Sequence, residues 1–98
     1  MMSTIKVVAR FTVDRQQFDA FLPLGKELVQ ETLKEEGCIR YELVQDRQSP
    51  EVLIMLEEWE SKSLLDKHMA SEHFTRLVPQ LVELSAAEPV IHVCKQLA

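Results

Sequence analysis

Apolar and polar residues alternate from the start of the chain. In "TIKVVARFTV" (4–13), Ile5, Val7, Ala9, Phe11 and Val13 share one face, while Lys6, Arg10 and Thr12 share the other with Val8. A period of two in β-branched residues predicts a strand with one strongly apolar side. The period then lengthens. Phe18, Phe21, Leu22, Gly25, Leu28, Val29, Thr32 and Leu33 recur at spacings of three and four. This predicts a helix with a single buried stripe, capped by Asp14. Pro23 has no N–H for the carbonyl of Asp19 and predicts a kink. Gly25 on the buried stripe predicts close backbone approach. The helix should stop at "EEG", where Gly37 can take the left-handed terminal conformation.

Two further strands follow, "CIRYELVQD" from Cys38 with Ile39, Tyr41 and Leu43 on one face, and "VLIMLEEWE" over 52–60. The short "RQSPE" between them predicts an antiparallel hairpin turning at Ser49-Pro50. The third strand is apolar on both sides through Leu56, so both faces should be covered, one by helices and the other by a partner subunit. Ser61 can cap a short helix, with Ser63-x-x-Asp66 as a second capping option, and Ser71 can cap another. The last helix carries Phe74, Leu77, Val78, Leu81 and Leu84 as its apolar stripe, with Pro79 predicting a bend or break. "EPVIHVCKQL" (88–97) reads as a final strand, with Pro89 at its start where a missing N–H is tolerated.

Strand, helix, strand, strand, helix pair, strand, joined by right-handed crossovers, predicts an α+β, ferredoxin-like fold. Its four-stranded antiparallel sheet has helices on one face, and its second and fourth strands are opposite edges. At 98 residues the chain makes one domain, spanning 1–98. So small a domain leaves apolar surface uncovered, and the helix-free face is the expected homodimer surface.

Composition narrows the function classes. The net charge is −5 and the basic residues are scattered, which argues against a nucleic-acid partner. No apolar run approaches the roughly 18 residues that span a bilayer. The amino terminus lacks the n- and h-regions of a signal peptide, so a cytoplasmic protein without a membrane partner is expected. Cys38 and Cys94 form no CxxC pair and are expected to stay reduced. With two glycines in the whole chain there is no phosphate loop and no dinucleotide cradle, and no GxSxG elbow either. No cofactor is therefore expected.

The candidate chemistry concentrates in "EEWESKSLLDKHMASEHF" (57–74), which holds the only tryptophan and two of the three histidines. On one continuous helix His68 and His73 would point about 140° apart. The break at Ala70-Ser71 could bring them nearer, but His92 lies on the far edge strand and no HExxH or similar spacing occurs. No metal site is expected. His68 follows Leu64 and Leu65 at i+4 and i+3 and should point inward, towards Glu57 and Trp59. Glu57 shares its strand face with Leu53, Met55 and Trp59 and needs a partner if buried. Each residue also has a structural alternative: Trp59 as a core anchor, His68 as a satisfied core histidine, His73 as a cap or pair, Tyr41 as packing.

"EEGCIRYELVQD" and the 57–74 stretch together resemble the antibiotic biosynthesis monooxygenase domain family. The matching positions are Gly37, Arg40, Tyr41, Glu57, Trp59, His68, Ser71, His73 and Phe74, within a likeness covering nearly the whole chain. The resemblance implies a homodimeric α+β barrel with a pocket between sheet and helices in each subunit. It also implies a cofactor-independent monooxygenase that uses O2 on a quinol or polycyclic phenol. Some relatives degrade haem with an Asn-Trp-His set. This chain has no asparagine, and Val78 stands where the haem-binding histidine would be. Other relatives isomerise a phosphorylated sugar or have no established activity. The expected catalytic residues are His68, His73 and Glu57, with His68 as base. Trp59, Tyr41, Phe74 and either Arg40 or Arg10 are the expected substrate contacts, the arginine stabilising a phenolate. Two alternatives stand: an isomerase or degrader of a small phosphorylated carbonyl compound with His68 and His73 as acid and base, and a non-catalytic dimeric small-molecule-binding protein.

Overall fold

A computed structural model describes residues 4–98. Strands β1 (Ile5–Thr12), β2 (Cys38–Gln45), β3 (Val52–Trp59) and β4 (Val90–Lys95) form one antiparallel sheet in the order β2-β3-β1-β4. Helix α1 (Phe18–Thr32) connects β1 to β2, and α2 (Lys62–Met69) and α3 (Glu72–Leu84) connect β3 to β4. This is the ferredoxin-like arrangement expected from the element order, with β2 and β4 as opposite edges. Cys38 and Cys94 are both free thiols.

Alternation on the central strands sets the core. Val7, Ala9 and Phe11 of β1 and Leu53, Met55 and Trp59 of β3 are buried against Phe21, Leu28, Leu65, Leu77 and Leu81 of the helices. β1 and β3 pair from Ile5↔Trp59 to Thr12↔Val52 without a shift, so both apolar faces meet the helices together.

Four local features differ from the sequence reading or sharpen it. Asp14 makes no side-chain cap; it precedes a single 3-10 turn (Arg15–Gln17), from which α1 starts. Helices α1 and α3 run through Pro23 and Pro79 without a break. Each lost hydrogen bond is outweighed by an apolar stripe buried on both sides of the proline. Ile39 is not on the buried face. A register shift between Cys38 and Arg40 takes it out of the ladder and leaves it 48% exposed. Ser61 and Ser71 do cap α2 and α3, accepting from the N–H groups of Leu64 and Phe74 at 3.2 and 3.3 Å.

Gly37 sits at φ +87°, and its carbonyl accepts from the Glu60 N–H at 2.9 Å. A Cβ there would collide with Leu64 Cδ1 and come within 2.8 Å of Leu64 Cβ. Glycine thus lets the chain turn out of α1 and lets α2 lie directly on that turn. Gly37→Ala is expected to cost at least about 2 kcal/mol, from left-handed strain plus overpacking. Urea unfolding checks this; a loss below about 0.5 kcal/mol would show that α2 does not rest on Gly37.

Candidate functional site: a histidine–carboxylate cluster on an apolar cavity

The close seat of α2 on Gly37 has a chemical result. The turn between α1 and β2 carries Glu35, whose backbone N–H bonds the Thr32 carbonyl at 2.9 Å. Its Oε2 lies 2.6 Å from His68 Nδ1 and 2.7 Å from His73 Nε2. The helix break at Ala70-Ser71 between α2 and α3, closed by Ser71 Oγ donating to the His68 carbonyl at 2.6 Å, turns His73 towards the same carboxylate. Two side chains that would diverge on one helix therefore meet at one oxygen. Glu35 carries no signal in the sequence, because a glutamate in a charged helix end has no signature that distinguishes it from a solvated one.

A carboxylate accepts hydrogen bonds, so the ring protons sit on His68 Nδ1 and His73 Nε2. For a neutral His68 the lone pair is then on Nε2. That atom is buried and has no partner among the described residues. The ring is held between Trp59 (centroids 4.6 Å), Phe74 (5.1 Å) and Tyr41 (5.4 Å). Burial pulls the His68 imidazole below its ordinary value of 6.5, against an opposing pull from Glu35. The neutral form is favoured, which is the form a base requires.

His68 is one wall of a cavity of about 80 Å³ bounded by sheet and helices, with Glu57, Tyr41, Phe74, Val78 and Met69 also on its surface. Every other lining side chain is apolar. Glu57 is 9% exposed and accepts from Trp59 Nε1 at 3.0 Å. Burial raises its carboxyl to about 7, against that hydrogen bond and with a small contribution from Glu35. The cavity wall thus carries an imidazole held neutral by burial and a carboxyl raised to about 7. Burial pushes the Tyr41 phenol well above its ordinary range, so Tyr41 is a neutral wall and hydrogen-bonding group. The Cys38 thiol is pushed up to about 11 by burial, which makes it a poor nucleophile.

The other residues named from sequence fall elsewhere. Trp59 is fully buried behind His68 and Glu57, bracing both, and does not line the cavity. Arg10 and Arg40 alternate onto the helix-free face; Arg40 pairs there with Glu42 at 3.1 Å. Neither arginine reaches the cavity of its own chain, because strand parity sets them opposite Val7, Ala9 and Tyr41. His73 reaches the cluster through Glu35 and is not a lining residue. The structure adds Ile91 and Val93 of β4 to the lining, 58% and 55% exposed, so this side of the cavity opens outward. A wider groove of about 410 Å³ runs between α1 and β2, but its only ionisable side chain is Lys26 and no acid–base pair faces it.

Sheet, helices and cavity define a small ferredoxin-like α+β protein with a buried imidazole and a buried carboxyl on the wall of an apolar pocket. The family model of antibiotic biosynthesis monooxygenases matches residues 4–80, and the chain belongs to that family. Among its relatives, a protein of Mycobacterium tuberculosis named "Putative monooxygenase Rv0793" is 31% identical over 84 residues, covering 86% of this chain and 82% of that one. "Putative monooxygenase YcnE" of Bacillus subtilis is 29% identical over 83 residues, covering 85% and 87%. The crystal structure of a conserved protein from Methanosarcina mazei Go1 superposes with a TM-score of 0.92 at 43% identity, covering 95% of this chain and 92% of that one. Among the described residues no helix is long and apolar enough to cross a membrane.

Proposed function

We propose that this protein is a cytoplasmic, homodimeric monooxygenase that oxidises a quinol or related hydroxyaromatic with O2 and needs no flavin or metal for turnover. The observation that carries this reading is the buried, unpartnered Nε2 of His68, a residue that lines an apolar cavity while its Nδ1 is anchored on Glu35. A hydroxyaromatic needs little more from a protein. Nε2 takes the phenolic proton, and the resulting anion is electron-rich enough to pass an electron to O2. Recombination then forms a carbon–oxygen bond at the ring, and loss of water leaves the quinone. Overall, a quinol with one ring C–H plus O2 gives a hydroxyquinone plus water. O2 takes four electrons, two from hydroxylation and two from quinol oxidation. Glu57, which lines the cavity and holds its proton up to about pH 7, supplies the proton that leaves as water. The dry walls keep the anion and reduced oxygen away from solvent.

The cavity of about 80 Å³ holds only a few waters, each occupying about 30 Å³ in the liquid. A two-ring substrate therefore enters across the open β4 side, where the flexible Met69, 42% exposed, can give way. All six residues of β4 are exposed, with Val90, Ile91 and Val93 forming an apolar run. A second copy covering that side would finish the pocket, which is why the reading includes a dimer. Sedimentation at micromolar concentration should give twice the chain mass of 11.3 kDa; a single-chain mass would remove the dimer.

The function is tested by oxygen uptake with reduced naphthoquinones and metal-free protein. Uptake well above the uncatalysed rate is expected. Background rates across a panel of quinols, together with quinol-induced thermal stabilisation, would replace the enzyme by a binding protein. The acid–base isomerase reading loses support because His73 does not line the cavity.

A further inference from the structure

We propose that Glu35, His68 and His73 form a binding site for one divalent cation of the zinc class, and that filling it silences His68 as a base. Two imidazoles and one carboxylate are a recurring donor set for such ions. Here they come from three separate elements, the α1–β2 turn, α2 and α3, and their donor atoms lie within 4.8 Å of one another. A tetrahedral ion about 2.1 Å from each donor would hold those donors about 3.4 Å apart. The present separations from Glu35 Oε2 are 2.6 and 2.7 Å. Glu35 must draw back from each imidazole by less than an ångström, which side-chain rotation in its turn allows, and the two imidazole nitrogens, within 4.8 Å of each other, need close by no more than about 1.4 Å. The side chains of Glu35 and His73 are each 15% exposed, against 1% for His68. The ion thus has an entry path on the rim and room there for a water as fourth ligand.

The consequence for the ring follows from its two nitrogens. While Glu35 accepts from Nδ1–H, the lone pair of a neutral His68 is on Nε2, the ring nitrogen without a partner. A cation on Nδ1 occupies that nitrogen's lone pair, so the proton of the neutral ring must move to Nε2. Nε2 then carries a hydrogen and can no longer accept one from a substrate. The cation is an inhibitor, not a cofactor. This second half rests on the monooxygenase reading, whereas the binding half does not.

The test is titration of chelator-treated full-length protein with Zn2+, followed by calorimetry and by 15N spectra of the histidines. A second place where an ion could bind is the exposed pair His92 and Cys94, one residue apart on β4, so the reference protein carries His92→Ala and Cys94→Ser. One equivalent per chain at micromolar or tighter affinity is expected in both wild type and reference. His73→Ala and Glu35→Gln, each made at a partly exposed side chain, should weaken it at least tenfold. The His68 15N signals should change from the Nδ1–H to the Nε2–H tautomer. Binding that is absent at 100 µM Zn2+, or that survives His73→Ala, or that disappears in the reference protein, overturns the site. Oxygen uptake is then read on the same samples. Uptake that persists at full zinc occupancy overturns the inhibition, and absence of uptake from the metal-free protein overturns the monooxygenase reading while leaving the isotherm to decide the site.

Discussion

Replacing His68 with glutamine is expected to lower catalysed oxygen uptake by about 10²- to 10⁴-fold, the range typical for loss of a positioned general base. The size follows from the isolation of Nε2. The other ionisable side chains on the cavity surface are Tyr41, whose phenol burial keeps neutral, and Glu57, whose carboxyl is raised to about 7 and accepts from Trp59 Nε1, so neither fully replaces the lost base. Glutamine keeps a polar group near Glu35 and fills much of the space between Trp59 and Phe74, so the fold should survive. A circular dichroism spectrum and melting curve on the same preparation establish that. Steady-state rates with a saturating quinol then read the chemical step. A folded variant that retains more than about a tenth of the wild-type rate would take the base role away from His68.

Glu57 carries the second large effect, on stability. Its carboxyl ionises at an ordinary value of 4.5 when unfolded and at about 7 in the fold, chiefly because burial penalises the charge. Between these values the folded chain holds a proton that the unfolded chain has released, so stability falls as pH rises through the window. The full shift corresponds to about 3 kcal/mol, reached above pH 7 and absent below pH 4.5. Glu57→Gln leaves an amide oxygen for Trp59 Nε1 and has no charge to bury. Urea unfolding at fixed protein concentration should find the variant no more stable than wild type near pH 4.5 and about 3 kcal/mol more stable at pH 8. Parallel stability–pH curves for the two proteins would show that Glu57 is not held neutral by the fold. A carboxyl held neutral by burial is what the proton-donor role proposed for Glu57 requires.

Both predictions concern residues visible in the sequence, and the reason is their position on elements with clear periodicity. Alternation in β3 put Glu57 among Leu53, Met55 and Trp59, and helical spacing after Leu64 and Leu65 turned His68 inward. Gly25 was also legible as a close approach: a Cβ there would meet Leu43 Cδ2 at 2.9 Å. The misplaced residues share a different cause. Ile39 lies at a bulge, where the period of two fails locally. Residue type and motif group Arg10 and Arg40 with the pocket, whereas strand parity sends them to the helix-free face. Trp59 reads in the sequence as a contact with substrate, but it stands one layer further in, bracing His68.

The sequence by itself determined the order of elements, the ferredoxin-like sheet, the core faces of β1 and β3, and the inward histidine. All of these follow from short-range periodicity, caps and turn residues. Only the tertiary structure decided that Glu35, His68 and His73 converge, since their donor atoms come from segments 33 and 38 positions apart. That meeting depends on Gly37 letting α2 lie against the turn and on the α2–α3 break swinging His73 back. Neither depth of burial nor the fixed tautomer of one imidazole leaves a trace in a linear pattern. Both arise from which groups exclude water around a nitrogen, and that is settled by packing between distant parts of the chain.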